Sequence, residues 1–236
     1  MDYYEKEFYK GYEIIRKADD YVDNPRQTGY NLFKFIGGTR SMSCPENRDY
    51  EITGNTWVEV ANFFGTKFKP EQDKSAHAWV EKNLFYFNIY FYSHGYTTFH
   101  FRKTDPWDSG YFGVLAVKYE TLFRKFNVDK LNDDILKELK EQARRELDEY
   151  EAYINGDYEM FVVNRDGEFI SAVGGFLSED ADANMALLKK QIDRNVELRE
   201  QASVDKLKEL IANKTPVEKI PAMLREVYNE EPCELF

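Results

Sequence analysis

The chain has 236 residues, 42% hydrophobic and 16% aromatic, with 17 Tyr and 18 Phe against 3 Trp. That is enough apolar material for one large domain, or one domain with an appendage, and it excludes a chain disordered throughout. The formal net charge of −11 repels a phosphate backbone unless bases gather on one face, so nucleic acid is not the default partner.

Along the chain, Tyr12 to Lys17 (YEIIRK) and Asn31 to Ile36 (NLFKFI) read as strands, separated by the turn-prone Asp23-Asn24-Pro25-Arg26. Short helices are predicted over 55–64 and 75–83. Leu84 to Tyr92 (LFYFNIYFY) and Tyr96 to Arg102 (YTTFHFR) form a hairpin around Ser93-His94-Gly95, and Gly113 to Lys118 (GVLAVK) is a buried strand. Leu131, Ile135, Leu136, Leu139, Ala143, Leu147, Tyr150 and Ile154 keep helical spacing and predict a helix that stops at Asn155-Gly156. A second hairpin bends at Asp166-Gly167, between strands over 158–163 and 168–173.

Beyond Ser178 aromatics thin out and Leu, Lys and Glu take over. Three helices are predicted, over 180–199, 204–212 and 216–228, the last with Thr215 as cap, Pro216 in its first turn and Glu218 following. The expected organisation is an α+β core over residues 1–177, with a mixed or antiparallel sheet and packed helices, followed by a helical C-terminal appendage over 178–236. Met185, Leu188, Ile192, Val196 and Leu198 fit either packing on the core or a homodimer seam. Two cysteines, Cys44 and Cys233, have no CxxC spacing, which excludes a disulfide framework or a cysteine zinc site. The charged, aromatic start MDYYEKEFYK, with no run of about 18 apolar residues, points to a cytoplasmic protein with no membrane partner.

The stretch TDPWDSGYFG, residues 104–113, is the first candidate site. Asp108-Ser109-Gly110 matches the Asp-Ser/Thr-Gly loop of aspartic proteases in three residues only, and a single copy would need a homodimer to pair its carboxylate. Read as structure, Pro106 fixes the backbone, Trp107 anchors the turn in the core, Asp108 and Ser109 bond the freed amides, and Gly110 lets the chain enter the strand. His94, His100, Asp105 and Asp108 combine imidazole and carboxylate and so make an alternative metal site, with Asp108 and His94 as its catalytic pair. They lack HxH, HxxxH or HExxH spacing, and a hairpin His that caps a turn accounts for His94 without a metal. No G-x-S-x-G elbow is present, Cys44 has no partner motif, and Gly37-Gly38 and Gly174-Gly175 lack a phosphate-loop pattern, so no cofactor is expected. The aromatic run Phe85 to Tyr92 carries no Lys or Arg and fits a core strand with Tyr hydroxyls at its wet edge better than a stacking platform for single strands.

Between Asp129 and Glu159 there are 11 acids against 5 bases. Asp133, Asp134, Glu138, Glu141, Asp148 and Glu149 make the candidate binding surface of that helix, for a basic partner, although a solvated face has the same composition.

Several motifs taken together resemble a family of uncharacterised proteins encoded largely by bacteriophages, prophages and mobile elements. These are His94-Gly95, Pro106-Trp107-Asp108-Ser109-Gly110 with Gly113, Tyr150 and Tyr153 before Gly156-Asp157-Tyr158, Gly175-Phe176, and the Asn24-Pro25-Arg26 turn. The resemblance spans residues 11–177. The sequence departs from the family pattern at Tyr111-Phe112, where Gln and a branched residue are usual, at the missing Ser of His-Ser-Gly, and at Ala172-Val173, where Cys-Trp is usual. A family active site built on those residues would be missing here. The resemblance implies a setting in which small acidic proteins bind and block a host protein, among them anti-restriction and anti-CRISPR-like inhibitors of nucleic-acid-handling defence proteins. The expectation is therefore a protein-binding accessory protein in a bacterial host cell, and the alternative is a metal-dependent hydrolase or nuclease.

Overall fold

Strands β1 (Tyr4–Tyr9), β2 (Tyr12–Ala18) and β3 (Lys34–Gly37) come first, then helices α1 (Thr56–Phe63) and α2 (Asp73–Asn83). Strands β4 (Leu84–Ser93), β5 (Thr97–His100) and β6 (Ser109–Lys118) follow, with α3 (Tyr119–Phe126) and α4 (Asp133–Asn155) behind them. The chain closes with β7 (Tyr158–Arg165), β8 (Glu168–Leu177), α5 (Ala181–Ala212) and α6 (Ile220–Asn229). This computed structural model describes residues 4–28, 30–47, 49–50, 56–229 and 235.

The fold is α+β with two four-stranded antiparallel sheets and packed helices. The chain groups into two compact units, one of residues 1–22 with 156–236 and one of residues 23–155. This grouping divides the chain elsewhere than at residue 177: the helices after β8 share a unit with the first two strands.

In the unit of residues 23–155 the sheet runs β3-β6-β4-β5. One face carries Phe33, Phe35, Ile89, Phe99, Phe112, Leu115 and Val117, covered by Ile135, Leu139, Ala143, Leu147 and Tyr150 of α4 and Leu122 of α3. The other face carries Ile36, Leu84, Val114 and Ala116, covered by Val58, Val60 and Ala61 of α1 and Ala76 and Val80 of α2. A sheet clothed by helices on both sides explains why β6 is buried from Phe112 to Val117, as a strand without polar alternation should be. Where β3 meets β6 the backbones are too close for side chains: a Cβ on Gly113 would lie 2.1 Å from the Ile36 carbonyl oxygen, and one on Gly37 2.3 Å from that of Phe112.

In the other unit the sheet runs β1-β2-β7-β8. Two-residue loops join its hairpins, Lys10-Gly11 and Asp166-Gly167, all four residues at positive φ, the conformation that matches strand twist in a tight hairpin. Tyr12, Ile14, Phe161 and Val163 pack against Ala181, Leu188 and Ile192 of α5, with Leu235 in the same cluster. Met185 and Val196 join them, whereas Leu198 is exposed.

Several sequence expectations change. β1 and α3 are additional elements, and β3 begins at Lys34 rather than Asn31. The helices predicted over 180–199 and 204–212 are one helix, α5, held across the proposed gap by a Gln201–Asp205 hydrogen bond one turn apart. The last helix starts at Ile220 after a single 3-10 turn, so the proline in its first turn is Pro221, not Pro216.

Candidate functional site

Burial sorts the β4 sequence residue by residue. Phe85, Phe87, Ile89 and Phe91 belong to the α4-side core, so by strand alternation Tyr86, Asn88, Tyr90 and Tyr92 point the other way. On β4 the last residue in the α1–α2 core is Tyr86; Asn88, paired with buried Val114 of β6 on one side and lying before β5 begins to pair at Tyr90 on the other, is exposed. The helices that bury Ile36 and Val114 in this row therefore stop short of its β4 end and leave Asn88 open to water.

The neighbouring strands complete the face. Gly113 pairs with Ile89 but Tyr111 pairs with Tyr90, leaving Phe112 as the extra residue of a bulge. The bulge sends Phe112 into the core and Tyr111 outward, 41% exposed, with its ring 5.5 Å from Tyr90 and its hydroxyl donating to Asn88 Oδ1 at 3.3 Å. Thr98 and His100 of β5 pair with Tyr92 and Tyr90 and share the face, the His100 ring nitrogen Nε2 meeting the Thr98 hydroxyl at 2.9 Å. At the other end Trp57 of α1 stacks on His77 of α2 at 4.1 Å and meets Tyr86 edge-on at 5.4 Å. The result is a ribbon of Tyr, Trp, His, Asn and Thr with no charged side chain on β4, on β5 or on β6 before Lys118, in a protein of net charge −11.

Burial pushes the Tyr111 hydroxyl above its ordinary titration range, with Tyr90 and Tyr86 adding to the shift, and does the same to Tyr86, helped by Glu81. Burial, with the nearby Arg144 cation, lowers His100. At neutral pH the Tyr111 and Tyr86 hydroxyls and the His100 imidazole are therefore neutral, and they can hydrogen-bond and stack but cannot hold a phosphate by charge.

The residues predicted from sequence scatter differently. Trp107 is 91% exposed rather than anchored in the core. Asp105, not Asp108, organises the turn: its carboxylate accepts the Trp107 and Asp108 amides at 2.7 and 2.9 Å, and those bonds lower its pKa. Asp108 is exposed, and Ser109 Oγ, buried, accepts the Asp105 amide at 3.0 Å. Pro106 is exposed, and Gly110 faces the Phe91 ring, which a Cβ would meet at 2.5 Å. His94 is exposed at the hairpin bend, its amide donating to the Tyr96 carbonyl. Among the described residues no three His, Cys, Asp or Glu side chains gather as metal ligands, so His94, His100, Asp105 and Asp108 are not assembled into one site. Cys233 lies outside the described residues.

Asp133, Asp134, Glu138, Glu141, Asp148 and Glu149 are all exposed on α4, with Asp148 bonded to Arg144 one turn earlier. Two other acids of the same helix work inside. Glu146 accepts the Arg26 guanidinium and the Leu32 and Phe33 amides. Glu151 accepts the Phe99 amide and the Arg144 guanidinium, and Arg144 also donates to the Phe99 carbonyl. Asn155 exchanges two hydrogen bonds with the Thr97 backbone, at 2.9 and 2.8 Å. Three α4 side chains thus satisfy the outer edge of β5, the edge strand of this sheet, in place of a further strand.

A cleft of about 210 Å³ is lined by Asn24, Met42, Cys44, Pro45, Tyr150 and Tyr153 among others. Its lining offers little chemistry: Cys44 is buried with its thiol 3.8 Å from the Phe35 carbonyl, and Asn24 donates to the Pro45 carbonyl and accepts the Arg26 amide. The tyrosine face is the better candidate because its polar groups are open to a partner. Its sequence signal was the alternation itself, aromatic hydrocarbon at odd positions 85, 87 and 91 and hydroxyl or amide at even positions 86 to 92.

Comparison with protein-family models, with curated proteins and with solved structures finds no match. No helix among the described residues is long and apolar enough to cross a membrane.

Proposed function

We propose that the protein acts by binding another protein, without catalysis of its own, and that the tyrosine face of β4, β5 and β6 is its principal contact surface. Tyr111, 41% exposed on the β6 bulge with its ring against Tyr90 and its hydroxyl on the exposed Asn88, carries this reading. Tyr and Trp bury large rigid area at low entropic cost, and interface centres are enriched in them and depleted of charge. An uncharged surface on a strongly acidic protein favours a protein contact over a phosphate backbone, which the net charge repels.

In the setting that the motif resemblance implies, the partner is a host protein and the outcome is inhibition, with a defence nuclease as the leading target class. The exposed acids of α4 supply a field that speeds the approach of a basic partner, since rim charges act mainly on association rates. Capture from a bacterial lysate, followed by titration of the recovered partner, tests this. Tyr90→Ser with Tyr111→Ser should abolish binding, whereas Asp134→Asn with Glu138→Gln and Glu141→Gln should only slow association. The reverse pattern would move the contact to the acidic helix, and recovery of no stoichiometric partner across hosts would count against protein binding altogether.

A further inference from the structure

In the unit that holds α5, Asn195, Arg199 and Ser203 fall four residues apart and share one stripe of the helix. Arg199 is 2% exposed and sits between two rings, its guanidinium carbon 5.3 Å from the Tyr12 centroid and 5.0 Å from that of Tyr228 on α6. Such stacking stabilises a desolvated cation, but it satisfies no N–H donor. Nε and Nη1 of Arg199 and Oγ of Ser203, one turn further on, are buried without a hydrogen-bond partner. Guanidinium donors removed from water are nearly always given acceptors, so this side chain has unused capacity for an anion.

Helix α6 covers it, packed on α5 with Ile220, Met223, Leu224 and Val227 half-buried. α6 has no buried residue among those described, and Tyr228, which closes over Arg199, is exposed on its other side. Its last residue, Asn229, accepts a 2.6 Å bond from Arg165, whose guanidinium also lies on the Tyr12 ring at 5.9 Å. Swinging α6 away breaks the Tyr228 ring contact and the Arg165–Asn229 bond and exposes half-buried Ile220, Met223, Leu224 and Val227, and it uncovers Arg199.

We propose that Arg199 and Ser203 form an oxyanion site, for a carboxylate or phosphate group, that α6 closes through Tyr228. Arg199 supplies charge and the free N–H donors, Ser203 a hydroxyl donor, and Tyr12 the floor on which the guanidinium stays oriented. This site is separate from the tyrosine face and stands whether or not that face binds a protein.

The test is a titration of the full-length protein with inorganic phosphate, and separately with acetate, following the Arg199 Nε–H resonance by NMR at constant ionic strength set with chloride. A saturable shift that chloride does not reproduce is expected with one or both anions, and the stronger of the two identifies the group recognised. Tyr228→Ala should tighten the apparent affinity, by about tenfold if the closed state outweighs the open one by that ratio. Ser203→Ala should weaken it while leaving the resonance in place, which keeps the test valid should Arg199→Met fail to fold. No saturable shift in either the native protein or Tyr228→Ala would overturn the proposal.

Discussion

Arg26 donates to Glu146 at 3.0 Å in a site where the two side chains are 0% and 4% exposed, 120 residues apart in sequence. The same guanidinium donates to Glu46, Asn31 and the Phe33 carbonyl, and Glu146 also takes the Leu32 and Phe33 amides, so the pair fastens the segment before β3 to the middle of α4. Removing one partner leaves a buried charge uncompensated, which costs roughly 3–5 kcal/mol. Arg26→Met and Glu146→Ala should each lower stability in urea unfolding by about that much, and Glu146→Gln, which keeps an acceptor for the amides, should lower it less. Arg26→Met within about 0.5 kcal/mol of the native protein would show that the site is dispensable.

Glu151, Asn155 and Arg144 bond the outer edge of β5, and that edge should open when they are cut. Amide exchange at Thr97 and Phe99 should accelerate in Asn155→Ala and Glu151→Ala respectively, with exchange in β6 little changed. Burial raises the Glu151 pKa. A carboxyl whose folded pKa is raised favours folding below its unfolded value and loses that contribution as pH rises through the folded pKa, so Glu151→Gln should gain stability relative to the native protein as pH is raised from the acid side. A constant difference between the two across that range would contradict the assignment.

How far these features can be read in the sequence depends on whether their cause is local. The α4 periodicity, the Asn155-Gly156 stop and the Asp166-Gly167 bend follow from side chains within a few residues, and the structure has all three. The division into two sheets does not, because β2 pairs with β7 across more than a hundred residues and no local pattern states that pairing. Glu146 and Glu151 look like the rest of an acidic helix surface, and only their distance from Arg26 and β5 marks them as internal. The sequence predicts Trp107 as the anchor of the turn, yet the turn is set by Asp105 bonding two amides, which leaves the indole outside.

Changing Trp107 to Ser should therefore leave stability within about 0.5 kcal/mol of native, since it is a surface substitution away from any packed contact. Asp105 behaves oppositely: its amide bonds hold its pKa below the ordinary carboxylate value, so the contribution is present above that value and is lost as pH falls through the lowered one. An NMR titration should find the Asp105 carboxyl below the usual range. Asp105→Asn, which still accepts both amides, should preserve the turn better than Asp105→Ala; equal loosening in the two variants would remove the amide bonds from the account.

Gly113→Ala should be among the most damaging single-methyl additions in the chain, because its Cβ would lie 2.1 Å from the Ile36 carbonyl oxygen with backbone on both sides. The expected effect is a fall in Tm together with broadened resonances in β3. Gly95→Ala has open space around its Cβ and serves as the control, with only the strain of its positive φ to bear. A Tm for Gly113→Ala at or above that control would mean that β3 and β6 are not packed this closely.

The central claim is that an uncharged tyrosine face carries the partner contact, and site-specific photo-crosslinking tests it most directly. A photoreactive phenylalanine analogue at Tyr111, on the bulge of β6, and another at Glu141, on the exposed side of α4, are compared in bacterial cells producing the protein. The account predicts one discrete crosslinked protein species from position 111 that disappears when Tyr90 is changed to Ser, and little from position 141. A discrete species from position 141 with none from 111 would contradict it and assign the contact to the acidic helix.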